Sequence, residues 1–259
     1  PPLAMATRTQ LTTNMLPFPR HGGTRRGAGR KRRSPRSRVS HRARPPLAPR
    51  HPVVVTVRLR SGLPSLRCER EFAVVRDRLE LAAERFGARL VHHTVQSNHL
   101  HLIVEAQDES ALARAMKGVL VRIARGLNKL WRRHGSVFDD HYHARALTTP
   151  REVRNALVYV LHNARKHGAR LTGLDPFSSG AAFDGWKDPV RRTVAACTAP
   201  LARARTWLLS VGWRRHGLIA VTERPSERRT RGDSAHSAAV IARVVRADLR
   251  RSPRRAAEA

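Results

Sequence analysis

The chain has 259 residues and carries 51 Lys and Arg against 19 Asp and Glu, which gives a formal charge of +32 at pH 7. A charge of this size strongly implies a polyanionic partner, and nucleic acid is the expected one. No run approaches the roughly 18 apolar residues that a membrane span needs, so we expect no membrane segment. The two cysteines, Cys68 and Cys197, exclude a disulfide framework or a Cys-based zinc module and suit a reducing compartment. We therefore predict an intracellular protein.

Residues 1–50 are rich in Arg, Gly, Ser and Pro and contain almost nothing apolar to bury. No acidic residue occurs before Glu69. The densest basic cluster of this segment is Arg30, Lys31, Arg32 and Arg33. Such a composition is typical of a flexible arm that contacts phosphates with little sequence preference. We expect 1–50 to be disordered in the absence of DNA.

Hydrophobic patterns predict the regular elements that follow. Every second residue from Val53 to Leu59 is apolar, which predicts a strand whose open side carries Arg58 and Arg60. The later elements are a helix over 69–86, strands over 90–95 and 99–106, a helix over 110–133 and a strand over 137–147. The order β-α-β-β-α-β predicts an α+β fold of the ferredoxin-like or RRM-like kind, with helices on one face of an antiparallel sheet and the other face open.

The long helix has apolar residues on one face and basic residues on the other. The basic set is Arg122, Arg125, Lys129, Arg132 and Arg133. This stripe could follow a phosphate backbone, or it could be only a solvated helix face. Both interpretations stay open at this point.

A further helix follows the fourth strand and has a clear start. Thr149 suits the N-cap, Pro150 the first helical position and Glu152 the third position of a capping box. The pattern runs to about residue 166. Tyr159 lies off its buried stripe and one turn before Asn163, so we expect the phenol and the amide to project together. An ordinary surface tyrosine is the alternative.

Beyond residue 168 the patterns weaken. Residues 175–186 are rich in turn-forming residues, 199–217 predict a short helical element, and 237–250 predict an amphipathic basic helix. We predict that 169–259 form a basic helical extension of a catalytic domain spanning 51–168.

Two histidines stand on the third predicted strand, in the run Asn98-His99-Leu100-His101-Leu102-Ile103-Val104. Strand alternation places His99 and His101 on one side and Leu100, Leu102 and Val104 on the other. Two neutral imidazoles side by side are half of a divalent-metal site, and such an ion is what phosphodiester chemistry needs. A solvated or hydrogen-bonded pair is the alternative.

The constellation resembles the HUH single-tyrosine transposases, and among them the REP-associated tyrosine transposases. The resemblance covers about residues 50–168. The matching residues are the histidine run, Val137-Phe138 with His141-Tyr142-His143, and Tyr159-Val160-Leu161-His162-Asn163. The chain has Ser97 and Ala164 where relatives commonly have proline.

The resemblance implies that His99, His101 and Asn163 ligate Mg²⁺ or Mn²⁺ and that Tyr159 is the nucleophile. It implies a DNA endonuclease and strand transferase that acts on single-stranded hairpin DNA through a 5′-phosphotyrosine. It also implies a monomer or homodimer in the bacterial cytoplasm, associated with the nucleoid. Lys166, on the same helix face, is a candidate for lowering the pKa of the phenol.

Three alternatives remain. The protein could be a non-catalytic nucleic-acid-binding module on the same fold, although the stacking aromatics of RNA-recognition folds are missing from the third strand. It could be a zinc hydrolase that uses the histidine-rich neighbourhood of His92, His93, His99 and His101, although no carboxylate or Cys partner stands at a usual spacing. Tyr142 is the other candidate nucleophile, but no amide follows it at the fourth position.

Overall fold

The computed structural model describes residues 46–166, 171, 173–190 and 201–225. One antiparallel sheet has the strand order β2-β3-β4-β1-β5. Its strands are β1 (Val53–Arg58), β2 (Glu84–Arg85), β3 (Ala88–Val95), β4 (His99–Ala106) and β5 (His143–Ala146). The helices are α1 (Glu69–Glu80), α2 (Glu109–Leu130), α3 (Pro150–Leu161), α4 (Asn163–Lys166) and α5 (Trp207–Ser210), with 3-10 turns at Ser179–Ala182 and Gly212–His216. The predicted α+β class with an antiparallel sheet is confirmed.

The first core lies between one face of the sheet and helices α1 and α2. Leu100, Leu102 and Val104 of β4 are fully buried there. The apolar stripe of α2 packs against them, because its buried residues recur every three or four positions. The alternation predicted for this strand is therefore correct.

The second face of the sheet is covered, and the prediction that it is open is wrong. All eight residues of β4 are buried. On this face Ile103 belongs to a second core with the buried stripe of α3 and with Trp213. An apolar stripe on α3 needs a partner surface, and the second face of the sheet supplies it.

Most of the buried apolar residues in the described parts of 169–259 belong to the same second core as α3, whereas Phe177 and Leu201 pack against the first core. Polar contacts join these parts to the loop before α1 and to α3. Arg67 forms a bidentate ion pair with the buried Asp175 at 2.8 and 2.9 Å. Arg154 of α3 forms another with Glu223 at 2.8 and 2.9 Å. The predicted helix over 237–250 and most of the predicted arm lie outside the described residues.

Helix α1 ends earlier than predicted. It stops at Glu80, and the short strand β2 turns back onto β3 through Phe86 and Gly87. Both turn residues have positive φ, 58° and 73°. Phe86, the last residue of the predicted helix, is 48% exposed. A tight turn forms there in place of the last predicted helical turn, because it allows β2 to pair with β3 at the edge of the sheet.

Two other boundaries are also different. The predicted strand over 137–147 is regular only at His143–Ala146, with an isolated bridge between Leu59 and Phe138. The helix predicted to reach residue 166 breaks at His162 into α3 and α4. Its start is as predicted, since the Thr149 hydroxyl accepts a hydrogen bond from the Glu152 amide at 3.2 Å.

Candidate active site

Two buried imidazoles lie side by side on the face of β4 that α3 covers. The rings of His99 and His101 have centroids 4.7 Å apart and planes at 79°. Each residue is 1% exposed. The strand alternation that buries Leu100 in the first core turns both rings to the opposite face.

Hydrogen bonds fix the orientation of both rings. Nδ1 of His99 is 2.8 Å from the amide oxygen of Asn98. Nδ1 of His101 is 2.9 Å from the hydroxyl of Thr56, which lies opposite it on β1. Because an amide oxygen only accepts, Nδ1 of His99 carries the proton and Nε2 carries the lone pair of the neutral ring. Metal-binding histidines are held in this way by oxygen partners.

Tyr159 of α3 reaches the histidine pair. Its hydroxyl oxygen is 3.3 Å from Nε2 of His101, and the two ring centroids are 5.0 Å apart. The ring packs partly against the second core, so the side chain is half-buried rather than fully on the surface. Burial raises the pKa of Tyr159, and the Asn163 side chain acts in the opposite direction. Lys166 places its Nζ 5.0 Å from the Tyr159 ring centroid.

Asn163 opens α4 directly after the break at His162. The residue is completely buried, and within the described structure neither amide atom has a hydrogen bond of good geometry. A buried amide without a well-formed hydrogen bond costs about 1 to 3 kcal/mol, so such a group needs a reason. A cation is one reason, because the amide oxygen can ligate it.

The donor set has a definite chemical character. No group of three or more His, Cys, Asp or Glu in the described ranges is arranged to hold a metal ion. A site at this place therefore depends on the amide oxygen of Asn163 in addition to the two imidazoles. Two nitrogens and one oxygen suit Mn²⁺ better than Mg²⁺, which prefers oxygen ligands.

His92 and His93 do not join this pair. Nδ1 of His92 is 3.3 Å from the Ser179 hydroxyl, and its ring contacts Phe183. His93 pairs with Leu102 in the sheet, so it is turned to the face opposite His101. Burial lowers the pKa of both residues to about 4. The arrangement gives the zinc-hydrolase alternative no support.

Tyr142, the other candidate nucleophile, is buried in the first core, on the side of α1 and α2. Tyr159 packs against the second core with its hydroxyl at His101. The sheet therefore separates the two tyrosines. Only Tyr159 shares a face with the histidine pair.

The predicted DNA-binding residues fall into three groups. Arg58 pairs with His99 in the sheet and shares its face, and the exposed Arg60 follows it. The basic stripe of α2 and the turn after it lies on the far side of the sheet, because α2 packs against the first core; this stripe is Arg122, Arg125, Lys129, Arg132 and Arg133. The cluster Arg30, Lys31, Arg32 and Arg33 lies outside the described residues.

Sequence reasoning missed the two residues that orient the imidazoles. Asn98 directly precedes His99, and the alternation of β1 places Thr56 beside Arg58 on the second face. Both signals are present in the sequence, but the pairing of Thr56 with His101 depends on the strand register. That register is visible only in the folded sheet.

No protein-family model and no curated protein matches the chain. Among solved structures, the chain is similar to a REP-associated tyrosine transposase bound to a REP hairpin, at 16% identity and a TM-score of 0.44. That match covers 54% of this chain and 82% of the other. It is also similar to a protein described as a putative transposase from Deinococcus radiodurans R1, at 15% identity and a TM-score of 0.33, over 43% of this chain and 87% of the other. Likeness at this level carries no weight for activity.

Among the described helices, none combines the length and the apolar character that a bilayer span requires.

Proposed function

We propose that the protein is a metal-dependent single-stranded DNA endonuclease and strand transferase of the transposase kind, with Tyr159 as its nucleophile. The observation that carries the proposal is the approach of the Tyr159 hydroxyl to within 3.3 Å of His101 Nε2. It occurs beside a second imidazole, with the buried amide of Asn163 on the next helix. A nucleophile next to a candidate ion site is the arrangement that phosphoryl transfer to a phenol needs.

Nε2 of His99, Nε2 of His101 and the amide oxygen of Asn163 would hold the ion. When bound, a divalent ion polarises the scissile phosphate and stabilises charge on its oxygens. Nε2 of His101 can bind either the hydroxyl of Tyr159 or the ion, but not both. The phenol therefore gives up this contact when the site is loaded.

The phenol must lose its proton to attack, and burial opposes this by raising the pKa of Tyr159. The Lys166 ammonium over the ring favours the phenolate. The phenol proton passes to water, the Tyr159 oxygen bonds to phosphorus, the bond from phosphorus to the 3′ oxygen breaks, and that oxygen takes up a proton from water. The product is a 5′-phosphotyrosine and a free 3′-hydroxyl, from which the reaction can be reversed.

The DNA partner of this proposal follows from charge and from geometry. The chain carries +32, and Arg58 lies on the same face of the sheet as His99. Phosphate contacts of this kind position a strand without reading its sequence. We propose single-stranded DNA presented at a hairpin as the substrate, because a duplex keeps its backbone less accessible to a half-buried phenol.

The decisive experiment is an adduct assay. Single-stranded hairpin DNA from the neighbourhood of the gene, labelled on the 3′ side of the cut, is incubated with protein and Mn²⁺ and run on a denaturing gel. The label should migrate with the wild-type protein, but not with Tyr159→Phe and not in EDTA.

Tyr142→Phe is the matched control. It removes a phenolic hydroxyl too, but from the first core, so this variant should retain the adduct. An adduct that still forms in Tyr159→Phe would show that Tyr159 is not the nucleophile. Tight DNA binding with no adduct from any hairpin would favour the binding-only alternative, for which the raised pKa of Tyr159 is the supporting observation.

A further inference from the structure

Trp207 is an exposed aromatic residue on a short helix whose next two residues are buried. It opens α5, and its neighbours Leu208 and Leu209 are buried in the second core, whereas Trp207 is 48% exposed. A tryptophan buries a large apolar area when it packs, so exposing half of one is a cost that a binding partner can offset.

The backbone of Gly212 fixes the position of the Trp207 ring. A Cβ added to Gly212 would lie 2.6 Å from the ring, so the indole rests directly on the backbone of that glycine. The preceding residue, Thr206, donates its backbone N–H and its hydroxyl to the buried carboxylate of Glu105 at 2.8 and 2.7 Å. The ring is therefore presented by a rigid support.

A cationic group covers the ring. The guanidinium carbon of Arg215 lies 4.9 Å from the ring centroid. Arg203 and Arg205 precede the ring on the same segment and are both exposed, and Arg205 also forms an ion pair with the exposed Glu84 at 3.3 Å. Exposed Val211 and Leu218 extend the apolar surface. An aromatic ring bordered by arginines is the combination that binds an unpaired base together with its phosphates.

We propose that Trp207 and Arg215 form a stacking platform for an unpaired nucleobase of single-stranded DNA. The base stacks on the guanidinium plane that covers the indole, and the neighbouring arginines contact the flanking phosphates. This inference rests on single-stranded DNA as the partner in the proposed function, but not on the cleavage reaction.

The platform is placed to act with the proposed active site. Glu105 lies on the same face of β4 as His99, six residues further along the strand, which is about 20 Å. A single strand of DNA whose phosphate lies at Tyr159 can therefore be held at a second point, near the other end of β4.

The test is a titration of the full chain with a short oligothymidylate, without metal, followed by tryptophan fluorescence and by anisotropy of a labelled oligonucleotide. The tryptophan fluorescence of the wild type should be quenched when DNA binds. The quenching can be assigned to Trp207, because the other three tryptophans, Trp131, Trp186 and Trp213, are all less exposed. Trp207→Ala should lower affinity at least about 5-fold, the lower end for loss of one stacked base. Trp207→Phe should recover most of the affinity but lose the quenching.

Two further variants separate stacking from charge. Gly212→Ala keeps the tryptophan but displaces its ring, so it should weaken binding as Trp207→Ala does. Arg70→Gln removes one exposed positive charge from α1, on the other side of the sheet, and should leave the quenching intact. Circular dichroism of each variant confirms that it is folded.

Unchanged affinity and persistent quenching in folded Trp207→Phe and Trp207→Ala would overturn the platform. A change of oligomeric state in Trp207→Ala, seen by sedimentation with DNA affinity unchanged, would also overturn it, because the surface would then be a protein interface. Neither result bears on the adduct assay, which depends on Tyr159.

Discussion

Thr56 and His101 lie opposite each other on β1 and β4, and the Thr56 hydroxyl is 2.9 Å from Nδ1 of His101. This contact turns Nε2 of the imidazole toward the hydroxyl of Tyr159. A strand that was expected to contribute only to the core and to DNA binding thus sets the direction of a candidate metal ligand. The contact can be removed with almost no change in side-chain shape.

Thr56→Val should therefore weaken the site without unfolding the protein. Loss of a hydrogen-bonding partner of a metal ligand typically lowers metal affinity or activity about 10- to 100-fold. We expect a loss of this size in Mn²⁺ affinity, measured by calorimetry, and in adduct formation. Thr222→Val, an exposed threonine of the C-terminal segment, is the control. Equal Mn²⁺ affinity in Thr56→Val and wild type would contradict the orienting role.

Asn163→Leu should separate stability from activity. The amide is fully buried and lacks well-formed hydrogen bonds within the described structure. Replacing it with an apolar group of similar size removes a desolvation cost of about 1 kcal/mol or more. We expect the free energy of unfolding in urea to stay the same or to rise, while the adduct is lost. A strongly destabilised variant would show that the amide is structural.

Arg58→Gln and Arg125→Gln should differ in their effect on the reaction. Arg58 lies on the face of the candidate site, whereas Arg125 lies on the exposed side of α2, beyond the first core. Each change removes one charge, but only Arg58→Gln should lower adduct formation at saturating DNA. If Arg125→Gln lowers it equally, the substrate runs over α2 instead.

Acid should destabilise the fold through His93. Burial, and to a lesser extent the neighbouring His92, lowers the pKa of His93 from 6.5 to about 4. Between these values the unfolded chain binds the proton and the folded protein does not, so the free energy of unfolding falls as pH decreases. This one residue accounts for about 2 to 3 kcal/mol by pH 4.

His93→Leu should reduce the slope of the free energy of unfolding against pH by the contribution of about one proton. The measurement is urea unfolding at a series of pH values. The exposed His134 gives the control variant, His134→Gln, which should keep the wild-type slope. An unchanged slope in His93→Leu would assign the acid sensitivity to other groups.

Glu105→Gln should release the C-terminal segment. Burial alone would raise the pKa of Glu105, but hydrogen bonds from Thr206, Arg205 and Arg89 hold it below its ordinary value. The change breaks the ion pair with Arg89, which we expect to cost about 2 to 3 kcal/mol because Arg89 is partly exposed. Trypsin should then cleave faster at Arg203. Glu84→Gln, which removes an exposed partner of Arg205, should change stability by about 0.5 kcal/mol at most.

The local parts of this structure could be predicted from the sequence. The alternation of β4 and the capping of α3 depend on neighbouring residues, and both are as expected. The packing of 173–190 and 201–225 could not be predicted, because it depends on pairs such as Arg67 with Asp175, which are 108 residues apart. For the same reason the covered second face of the sheet was missed.

The break at His162 shows a similar limit within the candidate site. Helical periodicity placed Tyr159 and Asn163 on one continuous helix, but they lie on α3 and α4. The His162 ring packs against Trp186, a residue of the C-terminal region. Periodicity cannot reveal a break at a residue that has such a distant contact.

The covered second face of the sheet also has a practical consequence for work with fragments. A chain cut after residue 168 would keep Tyr159 and every other residue of the proposed chemistry. It would also remove Leu209, Trp213 and Ile219 from the second core and so expose apolar residues of α3, and Glu105 would lose its contacts with Arg205 and Thr206. Such a fragment should aggregate through the apolar surface that this exposes. A soluble minimal enzyme should therefore extend to residue 225, although the residues of the proposed chemistry lie within the first 166.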